Sequence, residues 1–241
     1  MGPFDAPYGQ VVVVVPAHNE REHLPQCLRA LTTAGLCVPM PVTIVVVLDA
    51  CDDGSEVLAG QFGTDVQFIS VDAGNVGAAR AAGFEYARSL CDDELIERTW
   101  YATTDADSVV DADWLVRMVS ADADMVLGVV RVPTWRNFSP AVMRRYLHEY
   151  WSPGPGHRHV HGANMGFRAD LYWGVGGFRA LPTGEDVELV ERFERARLSI
   201  HRDRDLSVAT SDRRDARAPG GFAQHLRKLA RPPRTSNTKA S

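Results

Sequence analysis

Five short apolar runs, each separated from the next by a stretch of helical spacing or a short loop, constrain this chain more than any other feature. Gln10 to Val15 is a solid run that Pro16 stops, and Val42–Leu48, Val66–Val71, Thr99–Thr103 and Asp124–Val130 follow it. Between them, Glu20–Ala34 carries Leu24, Cys27, Leu28 and Leu31 at helical spacing, and Ser55–Phe62, Gly77–Leu90 and Ala112–Val119 also read as helices. Strands that are apolar on both faces and alternate with helices predict an α/β fold with a mainly parallel central sheet and helices on both faces. After Arg131 the pattern becomes irregular. A helix is expected over Pro140–Trp151, followed by the loop SPGPGHRHVHGAN. Ligands of open α/β sheets bind outside the carboxyl ends of the strands, so the residues found there carry the functional reading.

Composition removes several classes. With 241 residues, 45% of them hydrophobic and 24% charged, the chain suits one large domain or at most two small ones. A net charge of −5 argues against a general polyanion binder, and no nucleic-acid partner is expected. Cys27, Cys37, Cys51 and Cys91 have neither CxxC nor Cys/His metal spacing, which fits a reduced, cytoplasmic chain. The run Val11–Val15 is too short for a signal segment or a membrane span. The tail 231–241, RPPRTSNTKAS, has almost nothing to bury and is expected to be disordered.

The first strand ends in PAHNE, Pro16 to Glu20, without a GxGxxG or GxxxxGK[ST] loop. Asn19 and Glu20 there also suit a helix cap. The second strand ends in LDACDDGS. Asp53-Gly54 is accounted for as a turn, whereas Asp49 stands where the strand leaves the sheet and can accept from a base N–H or ribose hydroxyls. After the third strand, NVGAARAAG opens a helix with Gly77 and Arg80 in its first turns. The fourth strand runs into Asp105 and Asp107. Residues two apart on a strand share a face, so this pair can direct two carboxylates at one hard divalent cation, although aspartates also form turns. Further on, TGEDVELVERF starts a helix for which Thr183 and Asp186 fit a capping box. HGANMGFRAD reads as a tight glycine loop, and TSDRRDARAPGGF as a basic, glycine-rich segment.

PAHNE, LDACDDGS, NVGAARAAG, DAD, HGANMGFRADLYWGVGGF and GEDVELVERF, in this order over about residues 10–222, resemble the family 2 glycosyltransferases of GT-A fold, and most of all a soluble, bacterial, single-domain subgroup. The resemblance implies one domain over 1–230, with a donor half at about 10–130 and an acceptor half at about 131–222. It implies inverting transfer of one sugar from a UDP- or GDP-linked donor to a hydroxyl acceptor. Pro16, Ala17, Asn19 and Glu20 would line the nucleotide pocket, Asp49 would bind the base or ribose, and Gly77 and Arg80 would pack near base and diphosphate. DAD would be the DXD motif: Asp107 would ligate Mn²⁺ or Mg²⁺, and Asp105 would contact ribose or the metal's water. Asp186 would be the general base, with Glu185 orienting groups beside it. His161, Gly162 and Asn164 would meet the acceptor, His201 could reach the metal, and Arg214 or Arg217 could clamp the diphosphate. The family's DDGS block is lengthened here to DACDDGS. The QxxRW motif and membrane helices of processive synthases are absent from this sequence, in keeping with single transfers. Two alternatives stand beside this reading. A sugar-phosphate nucleotidyltransferase needs a Gly-rich basic loop that PAHNERE lacks, and an inactive nucleotide-sugar-binding protein would not need Asp105, Asp107 and Asp186.

Overall fold

The computed structural model describes residues 8–150, 157–210 and 230. Strands β1 (Gln10–Ala17), β2 (Val42–Asp49), β3 (Val66–Val71), β4 (Thr99–Thr103) and β5 (Met125–Arg131) form over the five apolar runs. Two further strands, β6 (Met165–Arg168) and β7 (Ile200–Ala209), come from segments without a strand-like pattern. Together they make one seven-stranded sheet in the order β3-β2-β1-β4-β6-β5-β7. All neighbours run parallel except β6, which is antiparallel to both β4 and β5.

The β1 sequence is continuously apolar because both sheet faces are covered. Val11, Val13 and Val15 enter one core with Leu28, Trp100, Trp114 and Met118, beneath α1 (Leu24–Gly35) and α4 (Trp114–Ser120). Val12 and Val14 enter the other with Phe84, Tyr101, Phe167, Tyr172 and Phe193. That second core is roofed by α2 (Val76–Ser89), α6 (Ala169–Gly174) and α7 (Glu185–Arg195), while the short α3 (Asp93–Glu97) leads into β4. A third cluster packs α5 (Pro140–Tyr150) through Val142, Tyr146 and Tyr150 against Val129 and Val130 of β5.

Several boundaries move for identifiable reasons. The helix expected from Glu20 begins at Leu24: Pro25 occupies its first turn, the position where a missing N–H costs nothing, and a separate turn covers residues 21–23. The expected helix at Ser55–Phe62 is only a 3₁₀ turn over Ser55–Leu58. For α7 the N-cap is Gly184 at φ 76°, with no side-chain cap, so Thr183 and Asp186 form no capping box. The expected disordered tail, 231–241, lies outside the described residues.

β6 is hidden in the sequence by Gly166. A Cβ there would lie 2.6 Å from Trp100 Nε1 and 2.8 Å from Met118 Sδ, so the strand tolerates only glycine where the indole crosses it. Both neighbours sit in a fully packed core. Gly166→Ala should therefore overpack it, at a cost on the order of 1–3 kcal/mol, seen as a lower urea midpoint at unchanged slope.

Candidate active site

The loops after β1, β2, β3 and β4 meet around a cleft of about 510 Å³. Pro16, Ala17, Glu20, Asp49, Asp105 and Asp107 line it, as the sequence suggests. His18, Asn75 and Pro182 line it as well, and the motif reading passed over them. Asn75 carried a usable signal. As Asn just before a helical run it is the N-cap of α2, and its Oδ1 accepts from Ala78 N at 2.9 Å.

The first two loops fix each other. Asn19 adopts φ 56°, which is incompatible with a helix cap for α1. Its side chain donates to Asp52 Oδ1 at 2.7 Å, and its Oδ1 accepts from Asp52 N at 2.9 Å. His18 Nδ1 lies 2.7 Å from the Asp49 carbonyl. The Asp49 side chain, 5% exposed, is aimed at the backbone after β3: it accepts from Ala73 N at 2.8 Å, Gly74 N at 2.9 Å and Asn75 N at 2.9 Å. A carboxylate has about four lone-pair sites, so most of this one is committed to shaping the loop over the cleft.

Arg80 is the centre of a second network and is 3% exposed. Its Nη2 donates to Asp105 Oδ1 at 2.8 Å, its Nη1 to Glu185 Oε1, and its Nε to Thr103 Oγ1 at 3.3 Å. Its guanidinium lies 5.6 Å from the Phe178 ring centre. Burial alone would lower the Arg80 pKa, but Asp105, Glu185 and Asp186 outweigh it and hold the group above its ordinary value. The adjoining acids act in the same way on Cys27, which lies under the cleft with its thiol 3.5 Å from the Asp105 carbonyl. Burial first, then the fields of Asp107, Asp105 and Glu20, push that thiol far up.

Asp186 stands beside this network in the first turn of α7. Its Oδ2 accepts from Gly162 N at 2.9 Å and its Oδ1 from Val187 N at 2.8 Å. The acids after β4 and those of α7 are thereby brought together, with Arg80 between them. Gly162 reaches this centre, and His161 adjoins it with Nε2 2.8 Å from the Tyr150 hydroxyl.

Other expected site residues are turned elsewhere. Asn164 is fully buried, and its amide is committed: Nδ2 donates to Val129 O and Leu206 O at 2.8 Å each, and Oδ1 accepts from Trp114 Nε1 at 2.9 Å. It pins β5 to β7 at their register shift, and the expected acceptor contact is withdrawn. Gly77 and Arg80 do not line the cleft; they face α7. His201 is exposed on the edge strand β7, three strand places from β4. The loop after β4 does cross to β7, but at its far end, where Val109 pairs with Ala209; His201 lies eight residues back along the strand, roughly 26 Å at about 3.3 Å per residue, so it is not placed to share a metal ion with Asp107. Among the described residues, no group of three or more His, Cys, Asp or Glu converges on a metal position. Arg214 and Arg217 lie outside the described residues.

The family described as "Glycosyl transferase family 2" matches residues 12–176. The chain belongs to this family. The match runs from β1 past β6, and the α7 acids of this family 2 chain lie beyond it. Among solved structures, S. aureus TarS 1-349 in complex with UDP-GlcNAc aligns with TM-score 0.63 at 13% identity, covering 92% of this chain and 65% of that one. The mannosyltransferase PcManGT from Pyrobaculum calidifontis, in complex with GDP-Man and Mn²⁺, aligns with TM-score 0.60 at 18% identity, covering 95% and 72%. At such identities the likeness establishes the fold, the GT-A type. The chain spans 65% of the TarS fragment and 42% of the longer TarS chain. No curated protein matches it. Among the described residues, no helix is long and apolar enough to cross a membrane.

The Asn164 network makes a structural prediction. Asn164→Ala leaves Val129 O, Leu206 O and Trp114 Nε1 without their buried partner. The loss should be on the order of 3–5 kcal/mol, measured by chemical denaturation, since each stranded group costs about 1–3 kcal/mol.

Proposed function

We propose that this family 2 chain is a metal-dependent, inverting glycosyltransferase that moves a single sugar from a nucleoside-diphosphate sugar to a hydroxyl acceptor. The observation that carries the proposal is the Arg80 bridge, which joins Asp105 of the cleft lining to Glu185, the neighbour of Asp186 at the start of α7. The TarS structure holds UDP-GlcNAc and the mannosyltransferase structure holds GDP-Man, which supports a nucleotide-sugar donor. The donor half would be 10–130 and the acceptor half 131–222, within one domain over 1–230.

Each residue then has a task. Pro16, Ala17 and Glu20 wall the nucleotide, and Asp49 shapes the 73–75 backbone against it. Asp186 is held by two backbone N–H groups, which fixes its carboxylate while leaving lone pairs for a further donor. It takes the proton of the acceptor hydroxyl as that oxygen attacks the anomeric carbon from the side opposite the leaving diphosphate. His161 and Gly162 meet the acceptor, and Glu185 keeps the Arg80 side of the site oriented.

The donor set fits a diphosphate-bound divalent cation. Asp105 and Asp107 both line the cleft, and a Mg²⁺-type site needs only one or two carboxylates beside substrate phosphates and waters. Mn²⁺, which the mannosyltransferase structure holds, or Mg²⁺ would be held chiefly by Asp107, where it would neutralise the charge that grows on the departing diphosphate.

Thermal-shift measurements with UDP, GDP and CDP, each with and without Mn²⁺, test donor and metal together. One diphosphate should raise the midpoint only in the presence of metal, and Asp107→Asn should remove that dependence. Asp186→Asn should retain nucleotide binding and lower diphosphate release from the matching nucleotide sugar by about 10²–10⁴-fold. Tight nucleotide binding without turnover of any nucleotide sugar would instead identify a binding protein. Formation of a nucleotide sugar from a nucleoside triphosphate would identify a nucleotidyltransferase.

A further inference from the structure

The segment NVGAARAAG lies beside the nucleotide cleft, yet its polar groups are spent on the elements around α7. Asn75 Nδ2 donates to Leu181 O at 2.7 Å, just ahead of that helix. At Gly77 the fit is closest: a Cβ would lie 2.2 Å from the Arg179 carbonyl oxygen and 3.0 Å from Glu185 Cβ. One helical turn on, Arg80 reaches Glu185 and Asp105. Its guanidinium is closed in on its other sides by Phe178 and Gly162; a Cβ on Gly162 would lie 2.5 Å from Nη2. That same Gly162 donates its N–H to Asp186 at 2.9 Å.

We infer that Arg80 is a positioning residue: a buried counter-ion that docks the N-terminal turn of α7, and hence Asp186, onto the strand-end acid Asp105, without itself binding the donor diphosphate. Three observations carry this. The guanidinium is 3% exposed. It is committed to two carboxylates and a hydroxyl on different elements. Gly77 is shaped to let α7 approach the helix from which Arg80 projects. Removing the cation would leave Glu185, 6% exposed, without its ion-pair partner, and a stranded buried charge drives its element outward toward water. The two α7 acids would then lose their register with the cleft although the nucleotide walls stay in place. The consequence for turnover rests on the glycosyltransferase reading above; the docking itself does not.

Two variants of the full chain test it. Arg80→Lys keeps the charge but replaces the two-pronged fork by a point donor that cannot hold both acids. Gly77→Ala keeps every charge and pushes α7 away sterically. Hydrogen exchange followed by mass spectrometry should find the amides of 187–193 exchanging at least 10-fold faster in both variants, with those of 11–15 unchanged. Titration with UDP or GDP plus Mn²⁺ should give dissociation constants within threefold of the parent chain. For the matching nucleotide sugar, kcat should fall at least 30-fold while KM changes less than threefold. Unchanged exchange at α7 in a folded Gly77→Ala chain overturns the inference. So does a 30-fold weaker nucleotide affinity in Arg80→Lys with α7 unchanged, because Arg80 would then be a diphosphate ligand. If the parent chain binds neither nucleotide, the transferase reading falls and the exchange rates alone decide the docking.

Discussion

A single buried cation holds the candidate site together. Arg80 comes from α2, Asp105 from the loop after β4, and Glu185 from the start of α7. These elements are distant in sequence, and nothing in the sheet's hydrogen bonding ties α7 to β4. A guanidinium can do so because its donors are fixed in a plane and can face two carboxylates at once, which a lysine cannot. Such an arrangement is poor as a source of stability, since desolvating Arg80 and Glu185 offsets much of their attraction. Its presence beneath a cleft therefore makes more sense as a positional device. The cost of burying Arg80 is recovered only when both acids are in register, so the charges report directly on the geometry of the site.

The same economy governs the cleft wall. Asp49 is expected from the sequence to bind base or ribose, but its oxygens are turned to three successive backbone amides after β3. This curls the backbone at the strand ends into a wall without a glycine-rich loop. Asn19 and Asp52 make the equivalent closure between the first two loops. Asp105 and Asp107 line the cleft that these loops enclose.

Much of this was legible in the sequence because it depended on local pattern. The five doubly buried strands announce themselves as apolar runs, and the strand-end motifs mark Pro16, Ala17, Glu20, Asp49, Asp105 and Asp107, all of which line the cleft. What was not legible depended on contacts between remote segments. Asn164 sits in a loop-like motif full of glycines, and only the folded chain reveals that Val129, Leu206 and Trp114 converge on it. β7 reads as charged loop because it is an edge strand, where IHRDRD can send charges to solvent and interrupt pairing with a bulge. His201 follows the α7 acids in sequence, but it lies at the start of β7, whereas the loop after β4 meets the end of that strand at Ala209. Arg80 was singled out for its charge; its orientation, out of the cleft lining and toward α7, comes from packing around Gly77 that no spacing encodes.

The reversal of β6 explains how segment 161–164 reaches the carboxyl edge of the sheet at all. In a parallel sheet only the segments that follow strands arrive at the carboxyl edge. β6 is antiparallel to β4, with Met165 opposite Thr103, so the segment that precedes it, 161–164, emerges at the same edge as the loops after β1 to β4. Gly162 can then offer its N–H to Asp186, and its missing Cβ makes room for the Arg80 guanidinium. Had β6 run parallel, this segment would lie at the opposite edge, and Asp186 would lose one of the two amides that orient it. The short strand that the sequence conceals is thus what brings segment 161–164 to the sheet edge where Arg80 and Asp186 meet it.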